Sequence, residues 1–304
     1  MKILISGATG FIGKHLVNHF KDSNDIYIIG RNKNKINRIY PSTKFNRLNA
    51  ITWEELDSYN AKDFDIVINL AGETINHIVW SKKIKDSILE SRINTTKILV
   101  DWCIKSPNNN LHLLNASAIS IYGLYSHIPQ QNNVESTEIN NHNYFLFQVA
   151  HFWEKEVKKL KESNINYSLM RFAVVLGKDG GAFTKLTLPI KLGLATKIGT
   201  GLQPFAWVSI DDLVRSFSFI IEKRILGPIN IVTPKTITQD EFTHQLSKIF
   251  NRPYLFKAPA MLIKLFLGQM GEELLLKGNY SKPEVLLNSG FIFKHNNLEQ
   301  LLKG

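Results

Sequence analysis

Five short apolar runs recur in the first 175 residues: Lys2–Ser6, Asp25–Ile29, Asp65–Leu70, Leu111–Asn115 and Tyr167–Val175. Each has the length of a strand and is apolar almost throughout, so it has to be covered on both faces. Stretches with helical spacing separate them, among them His15–Phe20, Ser81–Lys105 and Phe145–Glu162. Doubly covered strands alternating with helices predict an α/β fold with a doubly wound, mostly parallel sheet.

After Gly177 the texture changes. Gly180, Gly181, Gly193, Gly199 and Gly201 punctuate a stretch that reads as loop-rich up to Trp207. Ser209–Asp212 opens a helix, and Gly227–Val232 reads as a strand returning to the sheet. Capping-box spacing at Thr52–Glu55, Thr238–Glu241 and Ser281–Glu284 marks three further helix starts. The expected organisation is a dinucleotide-type domain over residues 1–177, rejoined by 211–232. A smaller, mainly helical substrate-side lobe takes 178–210 and 233–304. Met261–Leu276, apolar but interrupted by Lys264, Gly268 and Glu272–Glu273, is expected to pack as helix within that lobe rather than to meet a membrane.

Composition excludes several classes. No apolar run approaches the roughly 20 residues of a membrane-spanning helix. The run after Lys2 is too short for a secretory leader, so a cytoplasmic location is expected. Cys103 is the single cysteine and nine histidines are scattered without ligand spacing, which argues against disulfides and metal. The net charge of +11 comes from 37 basic and 26 acidic residues spread along the chain. It lacks a recognition helix or aromatic-studded sheet for nucleic acid. Its clusters are Arg31–Arg38 and Lys155–Lys161, the second reading as a solvated helix face.

Directly after the first strand stands Gly7-Ala-Thr-Gly10-Phe-Ile-Gly13. Gly7 permits a tight turn, Gly10 lets backbone approach a pyrophosphate, and Gly13 allows the helix to pack closely. The helix N-terminus then presents N–H groups and a positive dipole end to the phosphates, the Rossmann arrangement. At the end of the second strand an NAD site usually places Asp or Glu for the ribose 2′-hydroxyl. Here Gly30-Arg31-Asn32-Lys33 stands instead, with no acid adjacent in sequence. Arg31, helped by Lys33 or Lys35, suits a 2′-phosphate, so NADP(H) is favoured over NAD(H).

Together with Asn69–Glu73 and Trp207–Asp212, the glycine turn resembles the extended short-chain dehydrogenase/reductases. More narrowly, Glu90–Thr96, Arg171–Gly177, Gly180–Ala182, Gln203, Arg252-Pro253 and Gly290–Phe293 resemble an atypical branch described as an epimerase family of uncharacterised function. The resemblance implies cofactor contacts at Gly7, Thr9, Gly10, Phe11, Ile12 and Arg31, at Leu70 and Ala71, at Arg92 and near Val174. For Arg92, the residues alone allow a phosphate contact or a helix-surface position.

One part of the pattern breaks. Extended reductases use a Tyr-x-x-x-Lys pair to move a proton, with a nearby hydroxyl on the substrate oxygen. Aligned on Trp153-Glu154, Leu146 and Ala150 take the positions of the pair, and Ala118 that of the hydroxyl. Ser117 and Tyr122 are the catalytic candidates, Tyr122 having packing as its competing role; Ser120, Tyr144 and Glu73 are further options. Trp80, Gln203 and Trp207 are candidate walls of a substrate pocket, with core packing the alternative for both tryptophans. The leading expectation is an NADP(H)-dependent oxidoreductase or epimerase acting on a small carbonyl or hydroxyl compound, nucleotide sugars included. The alternative is a non-catalytic NADP(H)-sensing regulatory protein.

Overall fold

A computed structural model describes residues 1–107 and 110–303. The strands are β1 (Lys2–Ser6), β2 (Asp25–Gly30), β3 (Leu48–Thr52), β4 (Ile66–Asn69), β5 (His112–Ala118), β6 (Asn166–Phe172), β7 (Val174–Gly177), β8 (Ala195–Ile198), β9 (Pro204–Phe205), β10 (Trp207–Ser209), β11 (Gly227–Ile231), β12 (Ile237–Thr238) and β13 (Tyr254–Ala258). The helices are α1 (Phe11–Phe20), α2 (Lys33–Ile39), α3 (Lys82–Lys105), α4 (Phe145–Val157), α5 (Gly181–Lys191), α6 (Ile210–Lys223), α7 (Gln239–Ile249), α8 (Ala260–Leu274), α9 (Glu284–Asn288) and α10 (Leu298–Lys303).

Seven strands form one parallel sheet in the order β11-β6-β5-β4-β1-β2-β3. The order reverses between β1 and β4, which opens a crevice beyond their carboxyl ends, the place where such sheets bind ligands. One face is sealed by α1, α6 and α9 through Leu16, Val17, Leu213, Phe217 and Leu286. The other is sealed by α3 and α4 through Leu99, Val100, Trp102 and Val157.

Two expectations are corrected. The stretch after Gly177 contains the helix α5, because its glycines flank an apolar core, Phe183, Thr187 and Ile190, that buries against Trp207 and Leu246. β3 adds a strand beyond the five apolar runs: it is an edge strand, and only Ile51 of its five residues is fully buried. The Thr238–Glu241 box forms as expected. At Ser281 the hydroxyl turns instead to the Asn279 side chain, and the short helix α9 begins at Glu284 without a side-chain cap.

Candidate functional site

The crevice begins at the glycine turn. Gly7 has φ +69°, and a Cβ there would lie 2.5 Å from the Leu70 carbonyl oxygen. A Cβ on Gly13 would fall 2.5 Å from both Ala8 Cα and the Gly7 oxygen, so α1 packs on the turn itself. Gly10 differs: its φ is −77°, it is exposed, and a Cβ would meet the Gly7 oxygen alone, at 3.2 Å. The space before Gly10 is open. α1 starts with no side-chain cap and no acid in its first turn, so its leading N–H groups await an anion. Half-buried Thr9 lies in the same turn, and Tyr40 fixes it by donating its hydroxyl to the Ala8 carbonyl at 2.6 Å.

The ring of Phe11 is spent on another contact. Cβ atoms at Gly177, Gly180 and Gly181 would come within 2.7, 3.0 and 2.8 Å of it, which explains the glycines there. His15 stacks edge-on against Phe11 and reaches Asp179 at 3.0 Å, closing a clasp between α1 and the turn before α5. Phe11 therefore offers the crevice its backbone, while Ile12 packs into the core below.

At the end of β2, Gly30 lies close over Ile36. Arg31 is exposed and has no hydrogen bond or ion pair among the described residues. Lys33 is committed: its ammonium donates to both Glu55 oxygens, at 2.8 and 3.1 Å. Folding thus brings an acid to the basic cluster from just beyond β3, correcting the impression left by the linear sequence. Lys35 stays exposed.

After β4 the chain passes Leu70 and Ala71, whose N–H groups donate to Ser6 O and to Asn69 Oδ1. Arg92 lies beneath the next turn. Its Nη1 donates to the Glu73 and Ile88 carbonyls at 2.9 Å each, and its guanidinium lies 5.1 Å over the Trp153 ring. Burial lowers its pKa to about 10, with Glu73 partly offsetting the effect. This places Arg92 as a brace under Gly72 and Glu73 rather than on the helix surface.

The floor of the crevice had gone unnoticed in the sequence. Ser6, Asn69 and Asn115 occupy one register across β1, β4 and β5 and are fully buried. Asn69 Oδ1 accepts from Ser6 Oγ and the Ala71 N–H, and its amide donates to Thr96 Oγ1 and Asn115 Oδ1. All four of its bonding positions are filled. The signal in the sequence is a polar residue at or next to the end of three of the apolar runs, Ser6, Asn69 and Asn115.

Ser117 and Tyr122 lie in a second buried network. Ser117 Oγ donates to Glu154 Oε1 at 2.9 Å. Arg171 grips the same carboxylate through Nε and Nη2 at 2.8 and 2.9 Å. Its Nη1 donates to the Tyr122 hydroxyl at 2.6 Å, and that hydroxyl donates onward to Asn230 Oδ1. Burial raises the Tyr122 pKa, with Arg171 pulling the other way. Both hydroxyls are held in one buried network with Glu154, Arg171 and Asn230. Core packing also accounts for Trp207, and Trp80 packs on Phe145 while donating to the Ile75 carbonyl. Gln203, buried, ties the Ile198 and Leu275 carbonyls together. Val174 keeps an exposed side chain, its N–H donating to Ala206 O.

A different pair forms at the carboxyl edge of β5 and β6. Tyr144, the N-cap residue of α4, is half-buried and packs against the cluster that contains Ile119, Phe147 and Ala173. The ammonium of Lys277 donates to its hydroxyl at 3.0 Å and contacts Glu272 at 3.0 Å. Burial pulls the Lys277 pKa down, but the bonds to Tyr144 and Glu272 outweigh it and hold it above the ordinary value. α4 itself is capped from a distance: Glu273, buried on α8, accepts the N–H groups of Phe145 and Leu146 at 2.9 Å each. No cluster of three potential metal ligands occurs among the described residues.

A doubly wound sheet with an uncapped, glycine-lined helix end at its switch point is the architecture of the short-chain dehydrogenase/reductases. The chain belongs to the NAD dependent epimerase/dehydratase family, whose model matches residues 3–231. Residues 258–304 match a domain of unknown function, DUF1731. The epimerase family protein SH2119 of Staphylococcus haemolyticus is 31% identical, aligned over 98% of this chain and 96% of that protein. The epimerase family protein YfhF of Bacillus subtilis is 30% identical over 98% and 96%. Among solved structures, the human epimerase family protein SDR39U1 with NADPH superposes with a TM-score of 0.87 at 26% identity, covering 100% of this chain and 98% of that one. A UDP-glucose 4-epimerase of Thermotoga maritima with UDP-glucose shares the fold, with a TM-score of 0.75 at 18% identity and coverage of 100% and 96%.

Proposed function

We propose that the chain is an NADP(H)-dependent oxidoreductase or epimerase acting on a small carbonyl or hydroxyl compound, with Tyr144 and Lys277 in place of the missing sequence-local pair. The open space at Gly10 and the uncapped start of α1 fit a pyrophosphate, and free Arg31 fits a 2′-phosphate. The NADPH bound by the human relative agrees with that preference. When bound, the nicotinamide supplies or takes the hydride; the chain has to manage the proton.

The observation that carries the reading is the 3.0 Å contact between Lys277 Nζ and the Tyr144 hydroxyl at the carboxyl edge of the sheet. Because lysine donates to the phenolic oxygen, the phenolic proton is left to point elsewhere, toward a substrate oxygen gaining negative charge. Glu272 holds the ammonium in place and keeps it charged. A positioned general acid of this kind contributes about 10²–10⁴-fold to rate. Tyr144→Phe is therefore expected to lower kcat by that order in NADPH oxidation assays over a panel of aldehydes, ketones and nucleotide sugars, with NADPH affinity unchanged. Unchanged turnover in this variant would remove the pair from the chemistry.

A second reading, an NADP(H)-sensing regulator without turnover, draws support from Leu146 and Ala150. One amide N–H is held by Glu273, Ala150 is buried, and neither side chain carries a proton. NADPH binding with no turnover of any panel member would favour it.

A further inference from the structure

Helix α8 carries its apolar residues on the wrong side for a helix that only packs on its own lobe. Ile263, Leu267 and Met270 turn inward and are half-buried, while Met261, Leu265 and Phe266 stand outward with 79, 70 and 71% of their surface exposed. At helical spacing these three, with Leu262, form one stripe on the outer face. The strand before it adds to the same end of the molecule: β13 pairs with β8, its Leu255 is 80% exposed, and Leu192 at the end of α5 is 68% exposed. Packing within the lobe, expected from sequence, accounts for the inner face alone. Scattered exposed leucines need no explanation, but a continuous apolar stripe marks an interaction site.

Charge identifies the occupant. Residues 180–210 contain three lysines and residues 242–271 contain four lysines or arginines, against neighbouring acids of which Asp240 pairs with Lys197 and Glu272 with Lys264, at 3.4 Å each. Lys257, two residues from Leu255 on β13, and Lys191, next to Leu192 at the end of α5, are exposed, and Lys264 on α8 is exposed while paired with Glu272. A second copy of the chain docking on this face would set lysines against lysines. An anionic bilayer offers what both features need: acyl chains for the stripe and negative headgroups for its basic rim. No helix among the described residues is long and apolar enough to cross a membrane, so the contact lies in the plane of the interface.

We infer that the outer face of α8, with β13 and the end of α5, seats the protein on an anionic lipid surface. The experiment floats the full chain with vesicles of phosphatidylglycerol and phosphatidylcholine and, separately, of phosphatidylcholine alone, at low and high salt. Light scattering of the lipid-free protein runs alongside. Expected are a monomer, flotation with the anionic vesicles at least tenfold above the neutral ones, and loss of binding as salt rises. Leu265→Glu with Phe266→Glu should reduce the bound fraction at least tenfold, with thermal unfolding and NADPH binding unchanged. Lys257→Glu, which leaves the apolar stripe intact, should reduce it severalfold. Absence of flotation with anionic vesicles, equal flotation with both lipids, or a dimer that the double substitution dissociates would each overturn the inference. NADPH binding is read separately, so failure here leaves the proposed enzymatic function standing.

Discussion

Gly10 and Gly13 lie three residues apart in one motif, and the structure requires them to be glycine for different reasons. At Gly13 an added methyl would sit 2.5 Å from the Ala8 Cα and the Gly7 carbonyl, both rigid backbone. Relieving that overlap means lifting α1 off the turn. Overpacking of this kind costs about 1–3 kcal/mol, and backbone on both sides puts Gly13→Ala near ~3 kcal/mol. In a chain of this size that is a fall in Tm of roughly 5 °C. At Gly10 the backbone suits any residue, and the nearest atom is 3.2 Å away, so Gly10→Ala should cost less than about 1 kcal/mol. The same methyl projects into the space before the helix end, where the pyrophosphate is proposed to lie. Displacing it by a few tenths of an ångström loses one or two charge-assisted hydrogen bonds, roughly 1.5–3 kcal/mol each, and weakens NADPH binding about 10–100-fold or more. Scanning calorimetry and NADPH fluorescence titration on both variants separate the effects. A Gly10→Ala protein that binds NADPH as tightly as the parent would show that the pyrophosphate lies elsewhere. A Gly13→Ala protein with unchanged Tm would refute the packing argument.

The remaining expectations concern charge. Arg31→Ala should reduce NADPH affinity about 10–100-fold and leave NADH affinity nearly unchanged, because Arg31 carries the bidentate fork and Lys33 is engaged by Glu55; isothermal titration with both cofactors decides. Glu154→Gln leaves the buried Arg171 undercompensated and should cost about 3–5 kcal/mol in urea unfolding. Ser117→Ala should cost about 1 kcal/mol, with turnover intact. Burial and Arg224 lower the His112 pKa to about 4, against an ordinary 6.5 in the unfolded chain. The unfolded state then binds more protons between those values, so stability should fall as pH drops through that window. Glutamine at position 112 should flatten the decline by up to about 3 kcal/mol, read from urea midpoints at pH 7 and pH 4.5.

What was legible in the sequence was local. Ile3-Leu4-Ile5 followed by Gly7, Gly10 and Gly13 spells strand, turn and helix within a dozen residues, each by its own backbone chemistry. What stayed hidden depended on pairings between distant segments. Tyr144 and Lys277 are 133 residues apart, and nothing in the spacing of either announces the other. Glu55 neutralises Lys33 only because β2 and β3 are neighbours, and β3 itself was missed because an edge strand needs little apolar character. The network around Ser117 and Tyr122 was hidden for the same reason: Arg171, a buried cation 49 residues beyond Tyr122, binds the tyrosine oxygen and the carboxylate that Ser117 meets. The apolar content of Met261–Leu276 showed that α8 would pack, whereas the exposure of its outer face required knowing what it does not touch.

The distant capping of α4 has a consequence during synthesis. Its first two N–H groups belong to residues 145 and 146, and the carboxylate that accepts them arrives at residue 273. The edge of β6 likewise waits for β11, some fifty residues later. At about 5–20 residues per second, a ribosome needs roughly 6–25 s to deliver Glu273 after the start of α4 has been made. Through that interval the nascent chain carries an uncapped apolar helix, and until β11 is made it carries an open strand edge as well. Its first 200 residues should therefore depend on holding chaperones far more than a self-sufficient nucleotide-binding unit would, and fragments that stop short of α8 should aggregate rather than fold.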